Sequence, residues 1–234
     1  MADALNVSDL RVTYHDGAQA VRAVSLTVGP AERVGLIGPN GAGKTSLLLA
    51  VMGGVKFAGT IMVDGIELSR RTLRDARSRC GMVFQDPDDQ LFMPSLLEDV
   101  AFGPLNQGLD ADAARARARR ALADVDLDGF DDRAGHHLSG GEKHRAALAT
   151  ILSMDVTLLL LDEPGASLDH RGRSRLIQTL ATRQEAMLLS THDLDMVARL
   201  CDRVVLLDEG RVVAAGPAEA ILADKPLLTR HGLA

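Results

Sequence analysis

The chain predicts an α/β fold in which helices cover a mostly parallel sheet, with antiparallel strands beside it and a helical insert. Three observations carry this expectation. Apolar runs of strand length recur at 33–37, 156–161, 186–190 and 203–207, with helical segments at 171–183 and 194–201 between the later ones, the alternation expected of a parallel sheet. A glycine-rich loop, Gly38-Pro39-Asn40-Gly41-Ala42-Gly43-Lys44-Thr45, separates the first run from the helix-forming leucines of 45–52. From about Gln85 to Arg145 the spacing turns helical, with Leu97, Val100 and Ala101 one turn apart and a long Ala/Arg segment at 111–124.

The remaining elements follow from local signals. The segments 10–14 and 21–26 alternate around His15-Asp16-Gly17 and read as a β-hairpin, and 60–66 turns at Asp64-Gly65 as a further antiparallel piece. A chain of 234 residues with 46% hydrophobic residues can bury one substantial core. Its net charge of -6 and pI near 5.6 argue against a nucleic-acid partner. Arg115, Arg117, Arg119 and Arg120 are bracketed by Asp110, Asp112, Asp124 and Asp126, which suits a solvated helix face. No uncharged apolar run approaches the roughly 18 residues of a membrane span, and the first residues lack the pattern of a signal peptide. Cys80 and Cys201 match no metal or redox spacing and read as two buried thiols of a cytoplasmic protein.

The chemistry concentrates in a few motifs. Gly38, Gly41 and Gly43 let backbone N–H groups turn inward around phosphate oxygens at a helix N-terminus, where the dipole favours anions. Lys44 would place a positive charge on the β- and γ-phosphates, while Thr45 or the following Ser46 would offer a hydroxyl to magnesium. Four leucines lead into Asp162, at the strand end where ligands collect in open parallel sheets. Asp162 would hold magnesium directly or through water, and Glu163 would polarise the attacking water. Ser139, Gly140, Gly141 and Glu142 open another helix, presenting a hydroxyl and N–H groups to an anion. From spacing alone Tyr14 is equally an ordinary strand tyrosine or a platform for an aromatic base.

The ordered pair Leu138-Ser139-Gly140-Gly141-Glu142 and Leu158-Leu159-Leu160-Leu161-Asp162-Glu163-Pro164, downstream of the glycine loop, resembles the ATP-binding subunits of ABC transporters over essentially the whole chain. The resemblance implies a P-loop NTPase with a RecA-like core, an antiparallel β subdomain and a helical signature subdomain at about 86–148, all in one ATPase domain spanning 1–234. It implies ATP and Mg2+ as cofactors, Tyr14 against adenine, Gln85 touching magnesium and beginning the segment that meets the membrane partner, and His192 on the γ-phosphate or the attacking water. Residues 139–142 and Ser167-Leu168-Asp169 would then serve a second ATPase subunit, expected to be an identical copy. Glu142 stands where the family more often has Gln, and His170 where Pro often follows the Asp.

The stretch Val83-Phe84-Gln85-Asp86-Pro87-Asp88-Asp89-Gln90-Leu91-Phe92, continuing through Glu98-Asp99-Val100-Ala101-Phe102-Gly103-Pro104, looks like the energy-coupling-factor importers, above all their cobalt and nickel branch. That implies a transmembrane coupling protein and a membrane substrate-binding protein as partners, with this chain peripheral at the cytoplasmic face of the cell membrane. A vitamin importer of the same type, for example one for biotin, and a soluble non-transport ABC ATPase stand as the alternatives.

Overall fold

In the computed structural model, which describes residues 2–166 and 168–233, the chain begins with β1 (Leu5–Thr13), β2 (Gln19–Val28), β3 (Arg33–Ile37), α1 (Lys44–Val51), β4 (Ala58–Val63), β5 (Ile66–Glu67), α2 (Leu73–Arg79) and β6 (Cys80–Val83). It continues with α3 (Leu96–Asn106), α4 (Ala111–Asp124), α5 (Gly140–Leu152), β7 (Leu158–Asp162), α6 (His170–Ala181), β8 (Ala186–Ser190) and α7 (Leu194–Leu200). Then come β9 (Arg203–Asp208), β10 (Arg211–Pro217), α8 (Ala218–Ala223) and α9 (Lys225–Arg230). Two units divide the chain: residues 1–80, 157–162 and 184–234 form the first, and residues 81–156 and 163–183 the second.

In the first unit, β9, β3, β8 and β7 lie side by side and parallel within the larger sheet, with β10 antiparallel at its edge. Every residue of β7 and β8 is buried, as expected of strands covered on both faces. The smaller sheet, ordered β2-β1-β4-β5, is antiparallel and alternates: Leu5, Val7, Leu10 and Val12 of β1 are buried while Ser8, Asp9 and Arg11 are exposed. The left-handed Asp9 and Ala23 lie in the strands whose pairing shifts register between Val7 and Leu10.

In the second unit, α3 packs on α4 and α5, and α4 on α5. Small residues permit the close approach: Ala114, Ala118 and Ala121 line the buried side of α4, and Ala146 and Ala147 that of α5. The Ser153 hydroxyl donates to Val100 O at 2.7 Å, joining the end of α5 to α3. Ser95, Asp110, Ser139 and Asp169 cap the N-termini of α3, α4, α5 and α6 through side-chain oxygens.

The structure corrects several local expectations. The run Gly81-Met82-Val83-Phe84 reads in the sequence as a strand ending at Gln85, but β6 ends at Val83, so Gln85 lies two residues beyond it. Cys201 is only half-buried, though burial pushes its thiol, like that of buried Cys80, up to about 12. The strand β10 and the helices α2, α8 and α9 carry no strong periodic signal and were not expected from the sequence. Arg115, Arg119 and Arg120 are exposed on α4, in keeping with a solvated face.

Candidate functional site

β3 is buried from Val34 to Ile37 and delivers the chain into the glycine loop, which turns into α1. Two of its glycines are required by what lies behind them. A Cβ on Gly38 would sit 2.0 Å from Leu207 O, and one on Gly43 2.2 Å from Ala20 O, both at positive φ. Gly41 meets nothing and is needed only for its φ of +80°. Lys44 is 7% exposed and its Nζ donates to Gly38 O at 2.7 Å and Pro39 O at 3.1 Å, so the ammonium bridges across the loop. No acidic residue occupies the first turn of α1, which leaves the positive helix end uncompensated and suited to an anion. Asn40 and Thr45 are exposed, Pro39 is half-buried and Ala42 buried.

The Tyr14 hydroxyl and Ser46 Oγ are hydrogen-bonded at 3.0 Å. This contact engages Ser46 and fixes Tyr14, 40% exposed, beside the start of α1 with ring surface left for stacking. Of the two candidate hydroxyls for a metal, Thr45 is therefore the exposed one.

Strand register assembles the rest of the first unit's site. Leu36 of β3 pairs with Ser190 of β8, which pairs with Asp162 of β7. The glycine loop, Asp162 and the residues after Ser190 thus emerge from one carboxyl edge, with about 10 Å between the outer two strands. Asp162 is 1% exposed. His192, two residues past Ser190, is exposed, and Thr191 N donates to Leu36 O. Glu163, next along the chain and the first residue of the second unit's 163–183 segment, is buried with a left-handed φ of +47°, an unusual conformation for a non-glycine residue. Among the described residues no group of three His, Cys, Asp or Glu side chains could hold a metal. One carboxylate and one hydroxyl suit magnesium, which keeps several waters and is held largely through substrate phosphates.

The second unit carries Gln85, exposed just beyond β6, and the loop that opens α5. Ser139 and Glu142 close a capping box: Glu142 Oε2 accepts from Ser139 N and Ser139 Oγ, both at 2.7 Å, and Glu142 N donates to Ser139 Oγ. The Ser139 hydroxyl beside Glu142 holds its carboxyl below the usual range. The Ser-x-x-Glu spacing is the capping signal that marks this role of Glu142 in the sequence. A Cβ on Gly140 would meet nothing within 4 Å, and one on Gly141 would be 3.7 Å from Leu168 Cδ2. One turn on, His144 Nδ1 bonds Gly140 O at 2.9 Å and Lys143 Nζ pairs with Asp88 at 2.6 Å. Ser167 lies outside the described residues; Asp169 caps α6 through Gly172 N.

An exposed apolar edge was not expected from the sequence. Phe92, Phe102 and Leu105 are 63%, 42% and 46% exposed, and the two rings meet edge-to-face with centroids 5.3 Å apart. Asp99 supports this edge from below, accepting from Phe92 N and Met93 N at 2.9 Å each; burial pushes its carboxyl up from the usual value. Apolar spacing alone places Phe102 on a helix without saying which side is open.

The ABC transporter family profile matches residues 21–166. The chain is 40% identical over 235 residues, 98% of its length and 76% of the relative's, to the energy-coupling factor transporter ATP-binding protein EcfA of Methanothermobacter thermautotrophicus. The structure of cbiO1 from Clostridium perfringens, described as part of the ABC transporter complex cbiONQ, matches with a TM-score of 0.84 at 34% identity, covering 100% of this chain and 96% of that one. The ATP-binding cassette MJ0796, in a dimeric post-hydrolysis state bound to ADP and Pi, matches with a TM-score of 0.84 at 25% identity over 92% of this chain and 98% of that one.

Proposed function

The chain belongs to the ABC transporter family as an ATP-binding subunit, an ATPase, and from that premise we propose that it powers an importer of the energy-coupling-factor type. The observation that carries the proposal is the exposed Phe92–Phe102 edge, seven and seventeen residues past Gln85, a surface on which a transmembrane coupling protein could dock. The likeness to EcfA and to cbiO1 supports the same type. Among the described residues no helix is long and apolar enough to cross a membrane, so the attachment proposed is peripheral, at the cytoplasmic face, through the coupling protein and a separate membrane protein that captures the solute. Cobalt or nickel is the proposed cargo, with a vitamin such as biotin as the alternative.

In the proposed cycle the backbone N–H groups of Gly41 and of residues 43–46, with the Lys44 ammonium, hold the triphosphate, and Tyr14 stacks on adenine. Thr45 and Asp162, with Gln85, would hold magnesium, which supplies charge neutralisation on the β- and γ-phosphates. Glu163 takes the proton from the attacking water and His192 orients that water against the γ-phosphate. Ser139, Gly140, Gly141 and Glu142 close the nucleotide site of a second copy of the chain, so that ATP binding draws two copies together and hydrolysis releases them.

Phosphate release by the full chain, alone and co-expressed with candidate coupling proteins, tests this reading. Glu163→Gln is expected to lower turnover about 10²- to 10⁴-fold while ATP binding persists. Glu163-dependent turnover indifferent to every membrane partner would instead indicate a soluble ABC ATPase.

A further inference from the structure

We propose that His231, beyond the end of α9, is a positioning residue for the phosphate loop. The inference rests on reading residues 38–46 as the ATP site and adds a part of the chain remote in sequence from every motif.

The back wall of the loop is the turn between β9 and β10. Leu207 O is the atom that a Cβ on Gly38 would strike, and Leu207 Cδ2 lies 3.6 Å from the Cβ position of Gly43. Gly210 N donates to Ala42 O at 3.0 Å, and Arg22 N donates to Gly210 O at 2.7 Å. The wall therefore touches the loop at its first glycine, its middle and its last glycine. The turn is tight, with Glu209 and Gly210 both left-handed at φ +46° and +75° and Asp208 paired with Arg211, so Leu207 to Gly210 form one compact piece.

Asp208 sits within that piece, and His231 holds it. His231 Nδ1 lies 2.7 Å from Asp208 Oδ2, with side-chain exposures of 15% and 26%. With its proton on Nδ1 the ring donates to that carboxylate, which makes the contact a strut between the end of α9 and the turn. α9 itself is seated: Leu228 is 3% exposed in a cluster with Ile37, Val204 and Leu206. Ile37 immediately precedes Gly38 and Leu206 immediately precedes Leu207, so one apolar cluster grips both the loop and its wall while His231 fixes the outer end of the wall. A loop whose N–H groups are held in place before binding loses less freedom when phosphate arrives.

ATP affinity, turnover at saturating ATP and melting temperature of the full chain test this in His231→Ala, His231→Asn, Asp208→Ser, Leu227→Ala and Lys44→Ala. The Leu227 side chain packs against the same apolar cluster, and its carbonyl, which accepts from His231 N at 3.3 Å, is retained in the alanine variant. In His231→Ala and Asp208→Ser the ATP dissociation constant is expected to rise about three- to tenfold, with turnover at saturation within about twofold of the parent. His231→Asn, whose amide can reach the same carboxylate, is expected to restore most of the affinity. Leu227→Ala is expected to lower the melting temperature and leave affinity unchanged. Unchanged affinity in both His231→Ala and Asp208→Ser would overturn the proposal, as would an equal loss in Leu227→Ala. If Lys44→Ala binds ATP as the parent does, the phosphate-loop reading fails and the proposal with it; weak binding by Lys44→Ala beside normal binding by His231→Ala removes the strut alone.

Discussion

Both loops offered to phosphate are helix N-termini rich in glycine, yet the loop before α1 and the loop before α5 are supported in different ways. The first is backed by its own unit: Gly38 and Gly43 press on Leu207 O and Ala20 O so closely that no side chain fits. The second has open space at Gly140 and ordinary contact at Gly141, and its helix is held by a capping box of Ser139 and Glu142. Glycine before α1 is thus explained from within the unit. Before α5 it is not, and small residues there are accounted for by something that approaches from outside, which is the role proposed for the triphosphate of a second copy.

The sharpest way to break this contrast is to add one methyl group at each loop. Gly38→Ala is expected to cost about 2–4 kcal/mol through overpacking and backbone strain, and to abolish ATP binding in whatever fraction folds. Gly140→Ala is expected to leave melting and ATP binding by the single chain unchanged and to lower turnover. Thermal melts and ATP titrations on both variants check this, and a large stability loss in Gly140→Ala would erase the distinction.

A smaller effect is expected at Lys44, where charge-assisted bonds to phosphate are removed from the first loop only. Lys44→Ala should weaken ATP binding about ten- to hundredfold, as read by calorimetry, whereas Lys143→Ala, which breaks the pair with Asp88 beside the second loop, should leave it unchanged.

The smallest expected effect is the pH dependence of the capping box. Because the folded state lowers the Glu142 pKa, its contribution is present above the usual glutamate value of 4.5 and is lost as pH falls below that value through the lowered one. Glu142→Ala should therefore lower stability by about 1 kcal/mol at neutral pH, and the gap from the parent should close on acidification. Denaturant melts at several pH values measure it; a gap that widens in acid would contradict the assignment.

How much of this was legible in the sequence depended on whether the signal was local. β3, the glycine loop and α1 announce themselves because an apolar run, fixed glycines and a leucine helix follow one another within twenty residues. The ABC family resemblance rested on such segments and stands, and the mixed sheet with its helices agrees with the fold class. The wall behind the loop was not legible, since Leu207 and Gly210 meet Gly38 and Ala42, and His231 meets Asp208, only through tertiary packing, and β10 alternates between exposed and half-buried residues with no fully buried position. The Tyr14–Ser46 contact spans 32 residues and was invisible for the same reason. Exposure of Phe92 and Phe102 was hidden because apolar spacing does not say which side of α3 is open until its packing is known.

The central claim is that one catalytic site is assembled from two copies of the chain, and mixing two crippled variants tests it most directly. Lys44→Ala disables the first loop and Gly141→Asp the second, and each alone should release little phosphate. In a dimer that contains one of each, one site receives both defects and the other receives neither, so random mixing should restore up to about a quarter of the parent's sites. Recovery of phosphate release on mixing is the result this account predicts; a mixture no more active than the sum of its two components would contradict it.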